Sequence, residues 1–224
     1  MRRLAIVRPE PGASATAEAA ARLGLDPLVL PLFAVEPIAW QAPDVRAFDA
    51  LLLTSANAIR HSGSELEKLR GLSVYAVGEA TAAQARDAGF TVAATGSGGV
   101  DALLERIEPG LRLLHLCGEH RRRPASAPQA ITPLSVYRSA ALAKVPGLGR
   151  IAGEVVAIHS PRAGARLAEL AARQGLDISG TAIAAISAEA ALAAGSGWQS
   201  VEAAEAPSES CLLALAARLC NKSG

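Results

Sequence analysis

Short apolar runs recur along this chain, each broken by a small or hydroxyl residue and followed by an alanine- and leucine-rich amphipathic stretch. Leu4–Val7 is the first run; a Pro and Gly turn follows it, then a helical stretch from Ser14 to Leu23 that Gly24 is placed to stop. Ala50–Thr54 has no alternation of apolar and polar positions, the pattern of a strand covered by helices on both faces, and it runs into Ser55-Ala56-Asn57 and a helix. Leu72–Val77 repeats the device, entering a helix at Gly78-Glu79-Ala80-Thr81 that closes at Gly89. Thr91–Ala94 reads as the next strand, with the glycine-rich Thr95–Gly99 and a helix over Val100–Ile107 behind it; Leu111–Leu116 then leads into Gly118. Strands alternating with helices predict a mostly parallel sheet.

Proline positions modify that picture. Asp26–Pro37 reads as a strand, but Pro27, Pro31 and Pro37 each remove a donor, so its latter half is expected at an edge or in a connector. Ile131–Val136 carries Pro133, ends at Tyr137-Arg138, and is the natural partner of Leu32–Val35. Beyond the Pro146-Gly147 turn the alternation resumes. Glu154–Ile158 precedes Ser160-Pro161, a helix cap and a preorganised first turn, with Gly175 as the stop. Thr181–Ile186 precedes Ser187-Ala188-Glu189 and an alanine-rich helix, Val201–Ala203 is a short strand, and Pro207-Ser208 starts a closing helix with Leu212, Leu215, Ala216 and Leu219 on one flank. Leu51–Leu66 is echoed by Val155–Leu170, and Val74–Phe90 by Ile183–Trp198, in order of elements more than in identities. The expected fold is therefore α/β, with two related parallel-sheet domains joined by a two-stranded linker. Residues 1–35 and 146–224 form a discontinuous first domain and residues 38–134 the second, with connectors at 32–37 and 133–145.

Composition narrows the partners. Half of the 224 residues are hydrophobic but only 3% are aromatic, so Leu, Ile, Val and Ala must fill the cores. A formal net charge of +1 with no block of like charge argues against a nucleic-acid or membrane partner. Lys68, Lys144 and Lys222 are the only lysines, so a bound anion would be met by guanidinium groups or backbone N–H groups. Cys117, Cys211 and Cys220 have neither an even count nor metal-knuckle spacing, which fits a reducing compartment. The start MRRLAIVRPEP holds five apolar residues before Arg8, too few for a signal-peptide core, and a cytoplasmic protein is expected.

Ligands of open parallel sheets bind beyond the carboxyl ends of the strands, where helix amino termini present unpaired N–H groups. Those ends are Arg8, Ser55, Gly78, Gly118, Ser160 and Ser187. Small and hydroxyl residues there either let an anion approach the backbone or simply cap helices. Thr95–Gly99 lacks the lysine of a phosphate loop and reads as a flexible turn, with an anion nest as the alternative. Gly118-Glu119-His120-Arg121-Arg122-Arg123 is a basic cluster behind a strand end, able to reach a polyanion or merely solvated. His61, His115, His120 and His159 make no metal motif, and His159 beside Ser160 is a pairing in sequence alone. Cys117 reads as a buried free thiol, and Tyr137, one of two tyrosines, as either a cleft donor or a structural anchor.

In this order, Val7-Arg8-Pro9, Leu51–Arg60, Val74–Phe90, Leu113–Arg122, Pro133–Leu142, Ile158–Leu167 and Pro207–Leu219 resemble the uroporphyrinogen-III synthase family along the whole chain. The resemblance implies two α/β domains joined by a two-stranded ladder with the active cleft between them. It implies a carbon–oxygen lyase reaction without cofactor or metal, in which linear hydroxymethylbilane, a polycarboxylate, loses water and closes with its last pyrrole inverted through a spiro intermediate. It further implies tetrapyrrole and heme biosynthesis in the cytoplasm, by a monomer. Tyr137 matches the tyrosine proposed to assist loss of the hydroxyl, and Thr81 matches a cleft threonine; Ser55 and Ser160 match small polar residues at strand ends. Arg8, Gly78, Gly118, Arg121, Arg122 and Ser187 complete the expected substrate contacts. The chain departs from the family's glycine-proline-threonine-threonine turn at Ser187-Ala188-Glu189-Ala190, where Glu189 must point outward or oppose a polycarboxylate. A noncatalytic two-domain ligand sensor or interaction protein is the alternative, and a nucleotide-dependent enzyme, lacking a phosphate-loop motif, the third reading.

Overall fold

The computed structural model describes residues 1–121 and 123–221. In chain order the elements are β1 (Leu4–Ile6), α1 (Gly12–Arg22), β2 (Pro27–Val29), β3 (Phe33–Pro37), β4 (Ala50–Leu53), α2 (Asn57–Arg60), β5 (Ser73–Val77), α3 (Glu79–Asp87), β6 (Val92–Gly96), α4 (Gly99–Leu104), β7 (Arg112–Gly118), β8 (Ala130–Ala141), β9 (Val155–Ile158), α5 (Pro161–Gln174), β10 (Ala182–Ala185), α6 (Ala188–Ala194), β11 (Ser200–Ala203) and α7 (Glu209–Asn221), with 3-10 turns at Val45–Ala47, Gly63–Leu69 and Leu148–Ile151. They form two compact units, one of residues 1–34 with the chain from Ala140 onward, the other Val35–Ser139. Among the described residues no helix is long and apolar enough to cross a membrane.

The first unit is a parallel sheet in the order β11-β10-β9-β1-β2. Every residue of β1, β9 and β10 is buried, as a strand covered on both faces requires. Ala5, Val156, Ile158, Ile183 and Ala185 face α5 and α6, whereas Leu4, Ile6, Val155, Ala157, Ala182 and Ala184 face α1 and α7. The near absence of aromatic residues lets helices come close: a Cβ on Gly164 of α5 would lie 2.8 Å from the Ala190 carbonyl of α6. Ser160 caps α5 by accepting from the Ala163 N–H, Pro161 opens it, and Gly175 ends it in the left-handed conformation, as their order along the chain predicts.

The second unit carries the sheet order β3-β8-β7-β4-β5-β6, with every pair from β8 to β6 parallel. Leu51, Leu53, Val74, Ala76, Leu114 and Leu116 pack under α2 and α3, and Ala50, Leu52 and Leu113 under α4. Reading outward from β6, the order β6-β5-β4-β7-β8 has the same form as β11-β10-β9-β1-β2 in the first unit. The repeat along the chain is thus one topology used twice, the first unit having its last two strands at the amino terminus of the chain.

Four expectations need adjustment. The segment 26–37 is two strands, because Pro31 interrupts the donors between β2 and β3. Helix α4 stops at Leu104 rather than Ile107: the Gln129 side-chain amide donates to the carbonyls of Leu104 (3.0 Å) and Ile107 (2.8 Å), satisfying groups a longer helix would have used. Thr95 and Gly96 belong to β6, where a Cβ on Gly96 would meet Leu103 at 2.9 Å, so this glycine serves packing rather than a nest. Strand β8 does not end at Tyr137 but runs on to Ala141. Hydrogen bonds from Ile38 to Val136 and from Leu142 to Leu32 bracket its pairing with β3, and Pro133 lies before that stretch, where its missing donor costs no bond.

Leu167, fully buried, and Leu192, 84% exposed, calibrate this packing. Leu167→Ala should cost about 2–5 kcal/mol and Leu192→Ala less than about 0.5 kcal/mol in urea unfolding. Similar losses for both would contradict the assignment of the α5 face to the core.

Candidate functional site

In each sheet the chain builds outward on one side of a central strand and then returns to its other side. The reversal falls between β4 and β7 in the second unit and between β9 and β1 in the first. Carboxyl ends flanking such a reversal open a crevice with backbone donors. Ser55 and Gly118 stand at this edge of the second unit, Arg8 and Ser160 at that of the first; Gly78 and Thr81 follow β5, and Ser187 follows β10, one strand away in each case.

The second unit's edge is built on Thr54, His115 and Cys117, which continue the face of Leu52 and Leu113 but are polar. Thr54 Oγ1 lies 3.0 Å from His115 Nε2. Burial, reinforced by the charge of Arg121, pushes the His115 imidazole down to about 4, so it is neutral at physiological pH. Burial pushes the Cys117 thiol up, and the Arg121 charge only partly offsets it, so Cys117 is a poor nucleophile. Ser55 accepts from the Asn57 N–H at 3.2 Å. Gly78 precedes α3 and donates to the Gly96 carbonyl at 2.7 Å, while Thr81 is 5% exposed on the inner face of α3. Arg121 is half-buried; Arg122 lies outside the described residues.

Tyr137 sits at this edge. The β7–β8 register shifts between Cys117 and Gly118, so that Gly118 pairs with Tyr137 rather than with Val136. Its ring lies against Gly118, and its centroid is 6.2 Å from that of His61, with the planes tilted by 38°. His61 follows α2 directly, and burial together with the neighbouring Arg60 lowers its pKa. His61 carried no signal beyond its residue type, because its ring neighbour is distant in the chain and is set by the bulge.

At the first unit's edge, Arg8 Nη1 donates to Thr16 Oγ1 and to Glu209 Oε2, both at 3.2 Å, and the Thr16 hydroxyl donates to the other Glu209 oxygen. His159, its side chain 8% exposed, brings Nε2 to 3.3 Å from Glu209 Oε2, an ion-pair distance without hydrogen-bond alignment. The contact with His159 lowers the Glu209 carboxyl most, burial opposes it, and the Thr16 hydrogen bond and the charges of His159 and Arg8 bring it to about 2. His159 thus pairs with Glu209, not with its neighbour Ser160. Ser160 and Ser187 accept from the Ala163 and Ala190 N–H groups at 3.2 Å each; a capping hydroxyl can still donate its own proton. Glu189 is exposed in the first turn of α6, where an acidic side chain suits the helix dipole.

The chain matches the family model described as uroporphyrinogen-III synthase HemD over residues 14–214. It belongs to the uroporphyrinogen-III synthase family. No curated protein sequence matches it. The solved uroporphyrinogen-III synthetase of Helicobacter pylori 26695 is similar with 20% identity and a TM-score of 0.63, covering 98% of this chain and 100% of that one. A mutant uroporphyrinogen III synthase of the extremely thermophilic bacterium Thermus thermophilus is similar with 21% identity and a TM-score of 0.50, covering 99% and 100%. At these identities the likeness to the solved uroporphyrinogen-III synthases is one of fold.

Within this member of the family, neutral His115 has a measurable consequence. Its folded pKa is depressed below 6.5, so the unfolded chain takes up the proton first and stability falls as pH drops from about 6.5 towards about 4. The loss across that window should be about 3 kcal/mol. His61, also lowered, adds to it with the same sign. His115→Gln should flatten most of this slope in urea unfolding at a series of pH values; an unchanged slope would contradict the buried neutral imidazole.

Proposed function

We propose that the chain is a uroporphyrinogen-III synthase, closing hydroxymethylbilane with inversion of its terminal pyrrole and loss of water, as a cytoplasmic monomer without a cofactor. The observation that carries this reading is the family match over residues 14–214; the setting of Tyr137 supports it. On this reading the two α/β units act as domains, with residues 32–37 and 133–145 as connectors.

The chemistry asks little of the protein. Electron donation from the pyrrole that bears the hydroxymethyl group, at the opposite end of the chain from the ring to be inverted, expels the hydroxyl; the C–O bond breaks, and negative charge develops on the departing oxygen. A phenol held on a strand stabilises that charge by a hydrogen bond; the oxygen takes up a proton as it leaves as water, and the N–H proton shed by the same pyrrole balances it. The remaining task is to hold a flexible polyanion so that the substituted position of the last ring attacks, forming the spiro intermediate from which the inverted product opens. Ser55, Thr81, Ser160 and Ser187 offer hydroxyl donors, Gly78 lets a carboxylate approach the backbone, and Arg8, Arg121 and Arg122 supply charge; at Gly118 the expected carboxylate contact gives way to the Tyr137 ring, which fills the space beside it. Arg8 meets a substrate carboxylate either beside Glu209 or in its place.

Spontaneous closure gives the type I isomer, so consumption of substrate is not the readout. Purified protein should convert hydroxymethylbilane to the type III isomer; type I alone would favour the noncatalytic ligand sensor. Tyr137→Phe keeps the ring and removes the donor, and should slow single-turnover type III formation by roughly 10-fold, less than a full general-acid contribution because the substrate drives part of its own departure. Thermal unfolding should stay within a degree or so of the parent, and wild-type turnover would remove Tyr137 from this role.

A further inference from the structure

The backbone of Tyr137 is fixed by its place in β8, where its carbonyl accepts from the Glu119 N–H at 2.9 Å. Its ring is not fixed by the backbone, since two side-chain torsions remain. Two neighbours restrict them. A Cβ on Gly118 would lie 2.8 Å from Cε2, 2.9 Å from Cζ and 3.1 Å from the hydroxyl oxygen of Tyr137, so the phenol occupies the space a side chain would take. Gly118 is not among the glycines with positive φ, so its conformation is open to alanine and only this contact demands glycine. The ring cannot simply yield inward, because Tyr137 already packs on the cluster of Ile59, Leu116 and Val136. The second neighbour is the His61 ring, its centroid 6.2 Å from that of Tyr137, on a backbone held by the hydrogen bond from the His61 N–H to the Asn57 carbonyl at 3.1 Å.

We infer that Gly118 and His61 are positioning residues for Tyr137: they hold the phenol against bare strand backbone and beside an imidazole, and so set how much substrate closes to the inverted isomer. The inference rests on the reading of Tyr137 as the donor to the departing hydroxyl. It gives Gly118 a different task from carboxylate contact, and gives His61 its first. A methyl group at Gly118 displaces the phenol without touching its chemistry. A displaced donor slows assisted departure while unassisted closure continues, which raises the type I share.

Gly118→Ala, His61→Ala and His61→Gln test this, each alone and combined with Tyr137→Phe. Gly118→Ala should slow single-turnover type III formation by roughly 10-fold and raise the type I fraction. His61→Ala should do so to a smaller extent, with His61→Gln partly restoring the rate. In the Tyr137→Phe background none should slow the reaction further, because the group they position is gone. The chain has two tyrosines, so Tyr75→Phe protein labelled with 13C-tyrosine reports Tyr137 alone; its ring signals should shift in Gly118→Ala even if that variant proves less stable. A wild-type rate in Tyr137→Phe would overturn the donor reading first. A slow Tyr137→Phe with wild-type rates in Gly118→Ala and His61→Ala, or losses that add to that of Tyr137→Phe, would overturn the positioning role alone.

Discussion

Four strands at the centre of the two sheets have nowhere to place a polar side chain. All residues of β1, β4, β9 and β10 are buried, so both faces of each strand must be covered by helices or by apolar loops. Polar groups on these strands are therefore confined to their ends, and backbone donors to the loops and helix starts that follow them; His115, inside β7, is the buried exception and has Thr54 as its partner. Arg8, Thr54, Ser55 and His159 all appear within a few residues of the last buried strand position. The charge at these edges is sparse and held: Arg8 by Thr16 and Glu209, His115 neutral against Thr54.

Using one topology twice has a cost and a benefit. The first unit must be closed by chain segments from both ends of the sequence, so its edge depends on contacts of very high sequence separation, such as Thr16 to Glu209. In return, the chain carries two edges of the same design, each with small residues after its strands. The two edges are not equivalent. The first unit's is filled by its own carboxylate, whereas the second unit's carries the tyrosine and the glycine that makes room for it.

Much of this was legible in the residues. Ser160, Pro161 and Gly175 mark α5 because capping and stop signals are local, and the apolar runs located every central strand. What was not legible depended on distant partners. Tyr137 looked like the end of a strand because polar residues follow it, yet β8 continues where β3 pairs with it. The early end of α4 is set by Gln129, 25 residues beyond Leu104. His159 and Glu209 lie 50 positions apart with no spacing motif, and the contact of Tyr137 with Gly118 hinges on a single register shift. The candidate residues were found by their position after strands; their partners, and hence their roles, required the packed structure.

The most direct test of the idea that chemistry is confined to these carboxyl edges is amide mapping by NMR with uroporphyrinogen III as the added ligand. The account predicts that perturbed amides gather after the strands, around Arg8, Ser55, Gly78, Gly118, Tyr137 and Ser160, and leave the amino-terminal strand ends near Arg112 and Glu154 unchanged. Perturbations centred on Arg112 and Glu154, or spread evenly over both ends of the sheets, would contradict it.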